Sequence, residues 1–124
     1  MRTIHLLALL TVLALPAHAQ HAHGEGKLDV VIDRDSIAIN LQLPLDAAVG
    51  FERAPRNERE KAALAAAEKA LGDAALFVPT PAANCKAQTP KVVMPAFGAK
   101  AGANGHGDID ASYAYRCTNP AALK

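Results

Sequence analysis

The chain of 124 residues has no tryptophan, only three phenylalanines and two tyrosines, and a formal net charge of only +1. Without a basic surplus and with so few aromatic rings, it has no electrostatic footprint for nucleic acid or for an anionic membrane surface. Signatures of catalysis are missing too. There is no HExxH or HxHxDH, no Ser/His/Asp arrangement and no nucleotide-binding glycine motif. Its two cysteines lie far apart, with no CxxC spacing for thiolate ligation of a metal. These absences lead away from an enzyme and toward a binding or interaction module.

What is present begins with a leader. Arg2 supplies a positive start, Ile4 to Leu15 an apolar run interrupted by His5, Pro16 a breaker, and Ala17-His18-Ala19 an A-x-A cleavage site. The expectation is a signal peptide over 1–19, removed on export to the periplasm. The apolar run is shorter than the ~20 residues that a membrane span needs. No cysteine follows the cleavage site for lipid attachment, so no membrane insertion is expected after leader removal. Loss of Arg2 leaves basic and acidic residues in balance. Residues 20–124 suit a single exported domain with a modest core.

Both cysteines fall in that exported part, where an oxidising compartment allows a bond between Cys85 and Cys117. In the chain-entropy model a loop of this length stabilises the fold by roughly 3–4 kcal/mol.

The mature chain would open on His21-Ala22-His23-Gly24-Glu25. In an extended chain His21, His23 and Glu25 project from one side, roughly 6–7 Å apart, so two imidazoles can reach one ion. Imidazole suits zinc, copper or nickel better than calcium or magnesium. The competing reading is a solvated terminus whose histidines have no role.

Further along, Lys27 to Asp33 alternates, with Leu28, Val30 and Ile32 on an apolar face and Lys27, Asp29, Val31 and Asp33 opposite. After the polar Arg34-Asp35, Ser36 to Leu43 alternates again, which predicts a hairpin closed by Pro44. Leu45 to Glu52 reads as a loop or bulge around Gly50. Asn57 with Glu60 three positions later is a variant capping box, and Ala63, Leu64, Ala67, Ala70 and Leu71 recur at helical spacing before Gly72. The helix expected over 58–71 buries a stripe made mostly of alanine. Lys91 to Met94 reads as a brief strand, residues 95–107 as a Gly/Ala-rich loop, and Asp108 to Cys117 as a well-alternating last strand. On its outward face His106, Asp108 and Asp110 form a second polar trio, for which a solvated loop is the competing reading.

The leader followed by His-x-His-Gly-Glu, Val49-Gly50-Phe51-Glu52 before a helix, a middle cysteine, and His106, Asp108 and Asp110 leading into Tyr113-Ala114-Tyr115-Arg116-Cys117 resemble a known set of landmarks. In order and over nearly all the mature chain, they are similar to the bacterial periplasmic zinc-uptake-linked, ZrgA-like family. The resemblance implies an exported zinc-binding accessory protein, with His21, His23, Glu25, His106 and Asp108 as ligands and a zinc uptake system as partner. Members often carry a His/Asp-rich insert where this chain holds only His106. They also usually continue with further strands past the second cysteine, so the resemblance implies here either a C-terminally incomplete domain or a reduced variant of the family.

The sequence thus predicts an α+β fold, a small antiparallel sheet with one main helix packed on it and one disulfide. Its leading function is zinc homeostasis, by buffering zinc or delivering it for uptake. Three imidazoles and a carboxylate would complete the four-coordinate shell that zinc prefers, provided that the N-terminal and C-terminal strands are neighbours. The alternatives are a structural or interaction domain without a metal role, and a small metal-dependent hydrolase with Glu25 as base. A closed pocket of ~300 Å³ around a metal is hard to build in so short a chain, which weighs against the hydrolase.

Overall fold

The computed structural model describes residues 25–98 and 107–123. Its centre is an antiparallel sheet whose strands form where the sequence alternates. Strand β1 (Lys27–Asp33) turns through Arg34-Asp35 into β2 (Ser36–Pro44), and seven consecutive pairs run from Asp33 opposite Ser36 to Lys27 opposite Gln42. Arg34 takes φ 48° in the two-residue turn, and the Ser36 hydroxyl donates to the Asp33 carbonyl at 2.9 Å. On its other side β2 pairs with β5 (Asp108–Cys117), from Ser36 opposite Arg116 to Pro44 opposite Asp108. Two three-residue strands, β3 (Cys85–Ala87) and β4 (Lys91–Val93), pair with the far side of β5.

One face of β2 and β5 makes the core. Ile37, Ile39, Ile109, Ala111, Tyr113, Tyr115 and Cys117 are buried there, with Leu41 packed beside them. The expected alternation in both strands is therefore the observed one. The central strand β5 is buried at alternate positions because both of its edges are paired and one face is covered.

Leu45 to Glu52 departs from the expected loop. Pro44 leads into a short helix, α1 (Leu45–Val49), which drops Leu45 into the core at 0% exposure and ends where Gly50 takes φ 84° and donates its N–H to the Asp46 carbonyl. That left-handed conformation is open to glycine without a Cβ penalty.

The main helix, α2 (Glu58–Leu71), has the expected bounds. Asn57 caps it by accepting the Glu60 N–H at 2.9 Å, and Gly72 closes it by donating to the Glu68 carbonyl at 2.9 Å. Only part of the expected stripe is covered: Leu71 is buried, Ala63, Leu64 and Ala67 are half-buried, and Ala70 is exposed. The helix is fastened at its C-terminal end, where the Tyr113 hydroxyl donates to the Leu71 carbonyl at 2.7 Å. Beyond it, Phe77 meets Tyr113 edge-on at 4.9 Å between ring centroids, and the Tyr115 hydroxyl donates to the Phe77 carbonyl at 3.0 Å.

Such partial cover leaves β1 bare. Leu28, Val30 and Ile32 lie opposite Leu41, Ile39 and Ile37 and so face the core side, yet they are 50%, 52% and 58% exposed. The apolar face was placed correctly by its alternation, but nothing among the described residues covers it.

The Cys85–Cys117 disulfide is formed, between directly opposed residues of β3 and β5 with Cα atoms 3.8 Å apart. It closes a separation of 32 residues and ties the segment after α2 to the end of the central strand.

Candidate functional site

Sheet parity decides which polar residues meet. Side chains at odd positions of β1 and even positions of β2 and β5 leave the face opposite the core. Across that face one row runs Lys27, Gln42, Asp110, Val93, and the next runs Asp29, Asn40, Ser112, Lys91. Together they line an open groove of about 270 Å³. Lys27 and Asp29 hold each other at 3.0 Å along the strand, both exposed. The sequence had marked several of these residues as outward-facing, but it could not show that four strands bring them together, because strand order is not written in alternation.

At one end of this face lie the two carboxylates expected as metal ligands. Asp108, half-buried, is the first residue of β5 and stands opposite Pro44 of β2. Glu25 is exposed and precedes β1 by two residues. The β1–β2 pairing begins at Lys27 opposite Gln42, and a Cβ on Gly26 would stand 3.2 Å from the Leu43 side chain. Glu25, just before β1, and Asp108, at the start of β5, therefore lie toward the same end of the sheet, with β2 between the two strands. Two strand spacings, roughly 9–10 Å, separate β1 from β5. The direct neighbourhood of N-terminal and C-terminal strands on which the convergence was conditioned is thus not the observed one: β1 and β5 each pair with β2.

The entry to β5 is fixed locally. Gly107 accepts the Leu45 N–H at 2.9 Å, and a Cβ at this position would stand 3.0 Å from Pro95. Glycine lets that approach happen, and the contact sets the position of Asp108 against α1. Asp110, the third member of the second trio, is exposed opposite Gln42 and belongs to the groove.

The expected ligands His21, His23 and His106 lie outside the described residues, as do the other two histidines, His5 and His18. Among the described residues, no three of His, Cys, Asp and Glu gather closely enough to hold an ion. Cys85 and Cys117, joined in the disulfide, are not thiolate ligands.

The strongest electrostatic contact lies elsewhere. Arg53 grips Glu60 with two parallel bonds of 2.7 and 2.8 Å, and the Arg56 N–H adds a third at 2.7 Å. The Arg53 side-chain bond, followed by the Arg56 backbone bond, holds the Glu60 carboxyl down to about 2. The same bond raises the Arg53 guanidinium above its usual value, and Arg53 also lies over the Phe51 ring at 5.1 Å. This fastens the 50–57 loop to the start of α2 and is a structural clasp.

No helix among the described residues is long and apolar enough to cross a membrane. Residues 20–124 match the family described as ZrgA family zinc uptake protein. No curated protein matches the chain.

Proposed function

The chain belongs to the ZrgA family of zinc uptake proteins, and from that membership we propose that it is an exported, periplasmic zinc-binding accessory protein that buffers the ion or passes it to an uptake system. The family match is the observation that carries this reading. The disulfide fits an oxidising compartment. Zinc is cargo here, so an open and exchangeable site suits the task better than a closed structural one.

The proposed ligands are His21, His23, Glu25, His106 and Asp108. Support comes from the placement of the two described members. Glu25 and Asp108 flank the same end of the sheet, and in sequence His23 precedes Glu25 by two residues as His106 precedes Asp108. Neither carboxylate alone spans the gap between β1 and β5, so ligands from both flanks are needed to share one ion. Imidazole nitrogen and carboxylate oxygen are the mixed donor set that zinc accepts, and copper or nickel would compete for it.

A thermal-shift titration tests the reading against a module with no metal role. Protein stripped with chelator should gain melting temperature on adding zinc, since an ion that binds only the folded state stabilises by RT ln(1 + [L]/Kd). An unchanged melting temperature at zinc concentrations well above those of uptake systems would favour the structural alternative.

A further inference from the structure

We propose that the outer edge of β1, which pairs with no strand among the described residues, is a self-association surface, on which a second copy of the chain pairs antiparallel about a two-fold axis at Val30 to give one continuous sheet. The backbone supplies the first observation. The Asp35 carbonyl accepts the Cys117 N–H at 2.7 Å, so the odd-numbered residues of β2 bond to β5. In an antiparallel ladder hydrogen-bonded and non-bonded pairs alternate, so the even-numbered residues of β2 bond to the odd-numbered residues of β1. The N–H and C=O groups of Leu28, Val30 and Ile32 then point out from the free edge.

Those three residues also carry the bare aliphatic side chains, so free hydrogen-bonding groups and uncovered apolar surface coincide. Edge strands are ordinarily protected by shortness, proline, a bulge or an inward-facing charge. The other side of the sheet follows that rule, ending in two strands of three residues each. β1 does not: it is seven residues long, in unbroken register, without proline, and with no charge on its apolar face.

Charge selects both the occupant and the register. With the axis at Val30, Leu28 faces the second copy's Ile32, Val30 faces its own mate, and Lys27 faces Asp33, each contact occurring twice except the central one. Asp29 falls opposite Val31. No like charges oppose each other along the strand. Glu25 and Asp35 meet only beyond its ends, where Asp35 is already held by Arg116 at 2.9 Å. Centring the axis on Asp29 instead sets Asp29 against its own mate. Centring it on Val31 sets Asp29 against Asp33 twice. An axis between residues turns the apolar face of one copy to the opposite side of the sheet. A single register therefore joins opposite charges, pairs aliphatics and uses every free backbone group. One seven-residue strand from each copy makes a narrow contact beside the ~1,600 Å² of a standard stable complex, so a weak, concentration-dependent dimer is expected.

Sedimentation equilibrium of the metal-free protein, from roughly micromolar to roughly millimolar concentration, reads this out without reference to zinc. A monomer–dimer equilibrium is expected. Val30→Lys, which opposes two ammonium groups on the axis, should weaken it roughly tenfold or more while leaving the circular dichroism spectrum intact. Should that variant fail to fold, the exposed charges suffice: Lys27→Asp alone should weaken association, and Lys27→Asp with Asp33→Lys should restore it. A monomer at every concentration would overturn the proposal, including the case where another segment of the chain or a different protein covers the edge. So would a dimer indifferent to these changes, or a charge swap that fails to restore it.

Discussion

Two side chains carry more of the fold than their neighbours, and each gives a separate prediction. Glu60 receives two bonds from Arg53 and one from the Arg56 backbone, which lower its carboxyl from the usual 4.5 to about 2. A carboxyl depressed in the folded state contributes stability that is present above its unfolded value and lost as pH falls toward its folded one. The stability advantage of the native chain over Glu60→Gln should thus persist at neutral pH and shrink between pH 4.5 and about 2, as read from denaturation midpoints across that window. Tyr113 is the other. Its hydroxyl satisfies the last buried carbonyl of α2, and burial, with a smaller contribution from Tyr115, raises its ionisation above the usual 10.0. Tyr113→Phe keeps the ring against Phe77 but leaves the Leu71 carbonyl without its donor, so equilibrium unfolding should show a loss of about 1–2 kcal/mol.

At the scale of elements, the disulfide does what a short strand cannot do alone. β3 has three residues, yet it holds the segment after α2 against the central strand because Cys85 is bonded to Cys117. Closing 32 residues restricts the unfolded chain by about 3–4 kcal/mol in the loop-entropy model. Reduction, or the Cys85→Ala/Cys117→Ala pair, should lower unfolding free energy by that amount and speed amide exchange first at residues 83–87. The elements legible in the sequence were those with enough periods to announce themselves. The 27–33/36–43 hairpin and the 108–117 strand alternate over many residues, and the 58–71 helix carries Asn57 and Gly72 at its ends. β3 and α1 were not legible, since three and five residues hold less than two helical turns or two strand repeats, whereas the equally short β4 was read from the Lys91–Met94 run. Leu45, fully buried, was missed for that reason. Alternation also identified the apolar face of β1 without telling what covers it, because cover depends on where α2 lies. The site was less legible still. Glu25 and Asp108 could be named as ligand types, but that β2 stands between the strands that carry them, and keeps those strands from being neighbours, could not be read from alternation.

For the whole molecule, a sheet whose β1 edge pairs with no strand among the described residues, and whose outer face carries most of its polar side chains, suits the proposed role of a small exported carrier. Its core is on one side, and the proposed cargo end is at the rim where Glu25 and Asp108 lie. An open site of imidazoles and carboxylates also implies release in acid, because a histidine must be neutral to ligate and its normal pKa is about 6.5. His5 and His18, in the expected leader, should have no bearing on this. Calorimetric titration of the exported protein with zinc, at neutral pH and again near pH 5.5, tests the central claim most directly. The account predicts stoichiometric binding at neutral pH, a steep loss of affinity in acid, and a comparable loss in the His21→Ala/His23→Ala variant at neutral pH. Affinity left unchanged by that double substitution would contradict it and place the zinc elsewhere.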